Sequence, residues 1–84
     1  MEIKLELADN LNNNRNAANL VNSLRELSSS VFIYKDSGRK VNGKTLVGVL
    51  SENFLKNEII NVNFSNLDET SRIQSIFSLY GKII

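Results

Sequence analysis

The sequence predicts an α+β fold, in which a four-stranded antiparallel sheet in the order 1-4-2-3 carries three helices on one face. Segments that alternate apolar and polar residues are interleaved with segments of helical period, in the order β-α-β-β-α-β-α. A strand–helix–strand unit prefers a right-handed crossover, and this sheet is the simplest closed arrangement that satisfies the order. The chain has 84 residues, so we expect a single domain over residues 1–84 with one modest core.

The first third of the chain predicts a strand and a helix. Residues 2–8 alternate apolar and charged side chains, as expected of a half-buried strand. The asparagine-rich stretch 9–14 favours a loop, and Asn13 or Asn14 is expected to cap the helix that follows. Apolar residues at helical spacing predict that helix over 15–28, with one face packed on the sheet.

The middle of the chain predicts a hairpin, a short helix and a further strand. Residues 31–35 are β-branched and aromatic and indicate a strand. A turn at 36–38 returns the chain as a short strand over 39–42. The apolar spacing that follows suggests a short helix over 44–52, and alternation returns in a strand over 58–64.

A final helix is predicted over residues 68–80. Asp68 and Glu69 open it, where acidic side chains complement the helix dipole, and Gly81 is expected to stop it. The elements together predict one shared core, made of Ile3, Leu5, Leu20, Val21, Leu24, Ile33, Ile60, Val62, Ile73, Ile76 and Phe77.

Composition excludes several kinds of chemistry. The chain has no cysteine and no histidine, which removes disulfides, thiolate nucleophiles, imidazole acid–base catalysis and the common zinc ligands. We expect no metal and no cofactor. The net charge of +1 gives no strong attraction to nucleic acid or membrane. No apolar run approaches the roughly 20 residues of a membrane span, and the opening alternates charge and hydrophobe, which favours the cytoplasm.

The element order and two local strings resemble the phosphocarrier HPr family of the bacterial sugar phosphotransferase system. The family's first loop reads Gly-Leu-His-Ala-Arg-Pro-Ala, and the matching stretch here is Leu11–Ala18. Arg15 and Ala17 match that pattern. Asn13 stands in place of the phosphorylated histidine, and Asn16 replaces the proline.

The second string surrounds the regulatory serine of the family, Val-Asn-Ala-Lys-Ser-Ile-Met-Gly-Val-Met-Ser-Leu-Gly. The chain matches it over Val41–Asn53, with Thr45 at the serine. Glu52 and Asn53 replace a leucine and a glycine, and Asn57 replaces another glycine. The resemblance covers nearly the whole chain and implies a divergent member with an open-faced β-sandwich fold.

The resemblance implies a regulator instead of a carrier. The lone pair of an amide nitrogen is delocalised, so Asn13 cannot carry phosphate as a histidine does, and its simplest role is that of a cap or turn residue. Catabolite-repression HPr-like proteins also lack the histidine and act only as regulators. Arg15 holds phosphate in the family; here it is left to bind an anion or a partner's carboxylate, or to be solvated.

The second string supplies the remaining candidate residues. Thr45 is a candidate for regulatory phosphorylation by an HPr kinase, with Lys44 beside it; plain helix capping by its hydroxyl is the alternative. Part of the short helix is an exposed docking patch in the family, so Leu46, Val47 and Leu50 are candidates for partner contact, although apolar residues there are core by default.

Three functions stay open. The first is a non-catalytic HPr-like adaptor that binds a transcription regulator, an HPr kinase or a phosphotransferase component. The second is a small α/β acyl-phosphate hydrolase that uses Arg15 and Asn13. The third is a degenerate domain that serves only as a structural interaction module. The fold allows a monomer or a domain-swapped dimer that exchanges the first strand.

Overall fold

The computed structural model describes all 84 residues, Met1–Ile84. The α+β class predicted from the sequence is confirmed. No helix combines the length and apolar character needed to cross a membrane. The elements in chain order are β1 (Glu2–Leu7), α1 (Asn14–Arg25), β2 (Val31–Tyr34), β3 (Val41–Asn42), α2 (Leu46–Ser51), β4 (Ile59–Phe64), a 3-10 turn (Leu67–Glu69), α3 (Thr70–Ser78) and β5 (Gly81–Ile83).

The sheet is antiparallel throughout and its strands lie in the order β3-β2-β4-β1-β5. The predicted order 1-4-2-3 is therefore correct for the first four strands, and β5 is an addition at the outer edge of β1. Gly81 does not stop the last helix, which ends at Ser78. It is the first residue of β5 instead. Only glycine fits there, because a Cβ at this position would lie 2.3 Å from the Glu6 carbonyl oxygen.

The helices pack on one face of the sheet over a single cluster of 19 buried apolar residues. The predicted core residues are all buried except Ile3 and Ile76, which are half-buried at the edge of the cluster. Phe54 and Phe64 are also fully buried, and large apolar side chains of this kind contribute about 1.5–3 kcal/mol each when removed from water.

All three helices are shorter than predicted; α2 covers 46–51 instead of 44–52, and the strand expected over 39–42 covers only 41–42. Helix α1 ends at Arg25 and not at residue 28, because Leu27 turns into the core. The last helix begins with a 3-10 turn, and the Glu69 side chain makes no capping bond to its own helix. Its carboxylate accepts the backbone N–H groups of Ser28 and Ser29 at 3.0 and 2.7 Å. The bond from Ser28, joined by the bond from Ser29, lowers the pKa of Glu69.

Candidate functional site

The amino end of α1 is built around the side-chain amide of Asn13. Its Oδ1 accepts the backbone N–H of Asn16 at 2.9 Å, and its Nδ2 donates to the carbonyl oxygen of Asn10 at 3.2 Å. A side-chain amide has an acceptor oxygen and a donor NH2 group, and each of these groups makes a bond within the loop. The predicted capping role is confirmed for Asn13, and its side chain serves to hold the loop in shape.

This first loop is joined to the loop that follows α2. The side-chain Nδ2 of Asn12 donates to Oδ1 of Asn53 at 2.9 Å. The backbone N–H of Leu11 donates to the carbonyl oxygen of Phe54 at 2.8 Å. A third bond, between the Lys56 N–H and Oδ1 of Asn10, measures 2.7 Å. The two loops therefore form one continuous surface at this end of the molecule.

The loop after α2 contains the two residues of the chain, other than glycine, that have positive φ. Asn53 has φ 56° and Asn57 has φ 75°. Both positions correspond to glycine in the pattern that the sequence resembles. Left-handed backbone is costly for most side chains, and asparagine tolerates it better than most. The two replacements therefore preserve the path of the loop, which the sequence alone did not reveal.

Lys35, directly after β2, supports the same loop. Its ammonium group lies 3.2 Å from the carboxylate of Glu58 and 3.4 Å from the carbonyl oxygen of Asn53. Glu58 also accepts the backbone N–H of Leu55 at 2.7 Å. That bond is the main reason why the pKa of Glu58 is lowered, and the contact with Lys35 adds to it.

Arg15, the second residue of α1, is exposed. Its guanidinium group forms neither an ion pair nor a hydrogen bond within the chain. Since the guanidinium carries a permanent charge and a fork of N–H donors, this side chain is available to a carboxylate or phosphate outside the chain.

Lys44 and Thr45 lie near the other end of α1. The ammonium group of Lys44 donates to the carbonyl oxygen of Leu27 at 2.7 Å, and Arg25 donates through Nε to the carbonyl oxygen of Lys44 at 2.9 Å. Lys44 precedes Thr45 in the chain, and one bond of its ammonium group goes to the Leu27 carbonyl oxygen. The cation held beside this peptide is Arg25.

Thr45 occupies the cap position of α2, but its hydroxyl makes no capping bond. The predicted capping by the side chain is wrong, because the turn is closed by the backbone. The Thr45 N–H donates to the Asn42 carbonyl oxygen at 3.1 Å, and the Val49 N–H donates to the Thr45 carbonyl oxygen at 3.1 Å. The hydroxyl is left exposed to solvent.

Helix α2 runs antiparallel to α1 and presents a narrow apolar surface. Val49 faces the core, Leu46 and Leu50 are half-buried against it, and Val47 is 75% exposed. We call Arg15, Lys44, Leu46, Val47 and Leu50 the docking surface. Arg15 and Arg25 are ten residues apart on α1, or about 15 Å at the helical rise. A group bound at Thr45 is therefore out of reach of Arg15.

An open groove lies elsewhere, between α1 and α3, and its lining includes Ser23 and Ser75. Its lining includes none of the candidate site residues predicted from the sequence. Fold and site together define an open-faced α+β sandwich, and the unpaired candidate groups are the Arg15 guanidinium on α1 and the Thr45 hydroxyl before α2.

Comparison with known proteins agrees with this description. The family model for the phosphorylation site of the phosphotransferase HPr component matches residues 3–80. The chain therefore belongs to the HPr family of the phosphotransferase system. No curated protein matches the sequence.

Solved structures show the same fold. HPr-C-His from Thermoanaerobacter tengcongensis is 26% identical, with a TM-score of 0.83 over 95% of this chain and 90% of its own. The phosphocarrier HPr of Bacillus anthracis is 22% identical, with a TM-score of 0.77 over 95% and 93%. Crh, a catabolite repression protein of Bacillus subtilis solved as a dimer with a swapped domain, is 27% identical, with a TM-score of 0.69 over 79% and 75%.

Proposed function

We propose that this chain is a non-catalytic regulatory or adaptor protein of the HPr family, which acts in the cytoplasm by binding a protein partner. The observation that carries the proposal is Asn13. The chain has no histidine, and both polar groups of the Asn13 amide are bonded within the first loop. This position supports the shape of the loop and offers no nucleophile for phosphate.

Thr45 is the residue that we propose for regulatory phosphorylation. Its hydroxyl is exposed and makes no hydrogen bond that a kinase would have to break. A phosphate adds roughly −1.5 to −2 charges at neutral pH. Arg25 lies beside the preceding peptide, since its Nε bonds the Lys44 carbonyl oxygen, and we expect its guanidinium group to attract that charge. The partner then reads both the phosphate and the apolar residues of α2.

The docking surface supplies the partner contact. Val47 is the most exposed apolar side chain of the chain at 75%, and it lies between the half-buried Leu46 and Leu50. Arg15 adds an unpaired guanidinium near the far end of α2. We propose that a transcription regulator, an HPr kinase or a phosphotransferase component packs on this surface, because arginine is enriched among binding hot spots and the exposed Val47 adds apolar area beside it.

The acyl-phosphate hydrolase receives less support. That alternative needs Asn13 and Arg15 to face one substrate, whereas the Asn13 amide is bonded to Asn10 and Asn16. The groove between α1 and α3 contains neither residue.

Phosphorylation separates the remaining possibilities. Incubated with the general phosphotransferase enzyme and phosphoenolpyruvate, the protein is expected to gain no acid-labile phosphate, as measured by mass spectrometry. Incubated with an HPr kinase and ATP, it is expected to gain one acid-stable phosphate, which Thr45→Val abolishes. An acid-labile phosphate contradicts the non-carrier role, and an unmodified Thr45 removes it as the regulatory residue.

The docking surface is tested with a matched pair of variants. Val47→Asp and Leu79→Asp change side chains of nearly equal exposure, 75% and 73%, and Leu79 lies at the end of α3. We expect Val47→Asp to weaken binding of purified HPr kinase or catabolite regulator at least tenfold by calorimetry, and Leu79→Asp to leave it unchanged. An equal loss in both variants contradicts the assignment of the surface to α2.

A further inference from the structure

Strand β1 is an inner strand only because the last residues of the chain cover its outer edge. Leu5, Glu6 and Leu7 pair with β5. Backbone bonds continue the pairing at both ends, from the Ala8 N–H to the Tyr80 carbonyl oxygen at 2.8 Å and from the Ile84 N–H to the Lys4 carbonyl oxygen at 2.9 Å. We call residues 81–84 the strap.

The strap is held by few side chains. β5 has three residues, against six in β4 on the other side of β1. Lys82 and Ile84 are exposed, and Ile83 alone packs against the core. The strap also depends on the missing side chain of Gly81, since a Cβ there would meet the Glu6 carbonyl oxygen at 2.3 Å.

The sequence of β1 is complementary to itself. When two copies are set antiparallel about Leu5, Lys4 of each copy falls opposite Glu6 of the other, and Ile3 falls opposite Leu7. Opposite charges and apolar pairs that face each other across a ladder are favourable. In this pairing the charged residues of both copies lie on the open face of the joined sheet, and the apolar residues of both copies lie on the face that carries the helices.

The strap reproduces half of this arrangement within one chain. Lys82 lies opposite Glu6 and Ile83 lies opposite Leu5, which are the places that Lys4 and Leu5 of a second copy take in the symmetric pairing. An uncovered edge strand is a template for another chain. We propose that the outer edge of β1 is a pairing surface for a second copy of this chain. The strap blocks this surface, because its residues form the same kinds of pair with β1 that a second copy would form.

The resulting dimer has two-fold symmetry and an isologous interface. It differs from a dimer that exchanges β1, because exchange keeps β1 on a β4 strand, where Lys4 faces Asn61, and gives Lys4 no contact with Glu6. The inference stands apart from the proposed regulatory function, since it is tested without any partner protein or kinase.

Two full-length variants open the strap. Gly81→Val introduces a side chain that clashes with the Glu6 carbonyl. Lys82→Glu sets a second carboxylate opposite Glu6 and alters only an exposed side chain, so the fold is retained. Gly38→Val is the control, because a Cβ at Gly38 meets nothing closer than 3.6 Å. By light scattering after gel filtration, we expect the molar mass of both strap variants to approach twice the chain mass of 9.4 kDa. Their dimer dissociation constants should be at least tenfold lower than those of the parent protein and of Gly38→Val.

Charge exchange identifies the interface. In the Gly81→Val and Lys82→Glu backgrounds, Lys4→Glu is expected to raise the dimer dissociation constant at least tenfold. Adding Glu6→Lys to Lys4→Glu in the Gly81→Val background restores self-complementarity and is expected to restore the dimer. A monomeric Lys82→Glu variant with a native far-UV spectrum and fast amide exchange at Glu6 overturns the proposal. A dimer that Lys4→Glu leaves unchanged overturns it as well, and indicates strand exchange.

Discussion

The two ends of α1 are secured by different chemistry. At the amino end, Asn12 and Asn13 form bonds between neutral groups, and both side chains remain exposed. At the carboxyl end, Glu69 accepts two backbone N–H groups, and one of them belongs to Ser29, which is fully buried. The direct bonds of Asn12 and Asn13 at the amino end involve no charge, whereas the carboxyl end depends on an ionised carboxylate.

The two ends of α1 therefore differ in how much they contribute to the stability of the fold, and the carboxyl end contributes more. Bonds between exposed neutral groups contribute little to the free energy of folding, because water competes for the same donors and acceptors. A buried N–H that loses its acceptor is costly. We therefore expect changes near Asn13 to be tolerated by the fold and changes at Glu69 to be felt throughout it.

The largest effect is expected at the carboxyl end. Glu69→Ala leaves the N–H groups of Ser28 and Ser29 without their acceptor, and we expect the melting temperature to fall by roughly 5–10 °C for a domain of this size. Asp68→Ala is the control, since Asp68 is exposed and its side chain makes no hydrogen bond. Calorimetric melts of both variants decide the point, and equal losses would contradict the special role of Glu69.

The comparison also predicts the pH dependence of stability. Hydrogen bonding lowers the pKa of Glu69 in the folded state, first through the Ser28 N–H. A lowered pKa contributes stability that is fully present above the unfolded value of 4.5 and is lost as pH falls through the folded value. The chain has no histidine, so no side chain titrates with an ordinary pKa between about pH 5 and 8.

We therefore expect the urea midpoint to be nearly constant from pH 8 to 5 and to fall between pH 4.5 and 2.5. Glu69→Gln should begin lower at neutral pH and fall less steeply in acid, since this variant has no carboxyl group to protonate at position 69. A decline that sets in above pH 5.5, or an acid slope that Glu69→Gln leaves unaltered, would contradict the assignment.

Local pattern was sufficient to predict the parts of the molecule that depend on neighbours in sequence. Two-residue alternation identified β1 and β4, helical spacing identified α1, and the position of Asn13 before that helix identified its cap. In each case the residues that decide the structure are within a few positions of one another, so the sequence carries the whole signal.

The features that the sequence missed are contacts between distant segments. Glu69 looked like a first-turn acid of its own helix, yet it bonds Ser28, 41 residues away. Gly81 looked like a helix stop, yet its missing side chain makes room for the Glu6 carbonyl. The direction of Lys44 was also beyond local reasoning, because its long side chain reaches the Leu27 carbonyl across 17 positions.

A smaller effect is expected at the loop joined to the amino end. Asn57 has φ 75°, and left-handed backbone costs an alanine about 1–2 kcal/mol. We expect Asn57→Ala to lose about 1 kcal/mol of unfolding free energy in urea, and Asn57→Gly to be neutral or slightly stabilising. Lys56→Ala, at an exposed neighbour, serves as control. If Asn57→Ala matched that control, backbone strain would not govern this loop.

The smallest effect of the set is expected at Asn13, and its two bonds can be tested apart. Asn13→Ala removes an exposed cap and should cost about 0.5 kcal/mol, the low end of the range for N-cap residues. Asn13→Ser keeps an acceptor for the Asn16 N–H and gives up the donation to Asn10, so it should stay within a few tenths of a kcal/mol of the parent. Urea unfolding at pH 7 and pH 5 measures both, and because the residues are neutral the differences should be the same at each pH. A cost for Asn13→Ser as large as that for Asn13→Ala would show that the bond to Asn10, and not the cap, holds the loop where the family's histidine would stand.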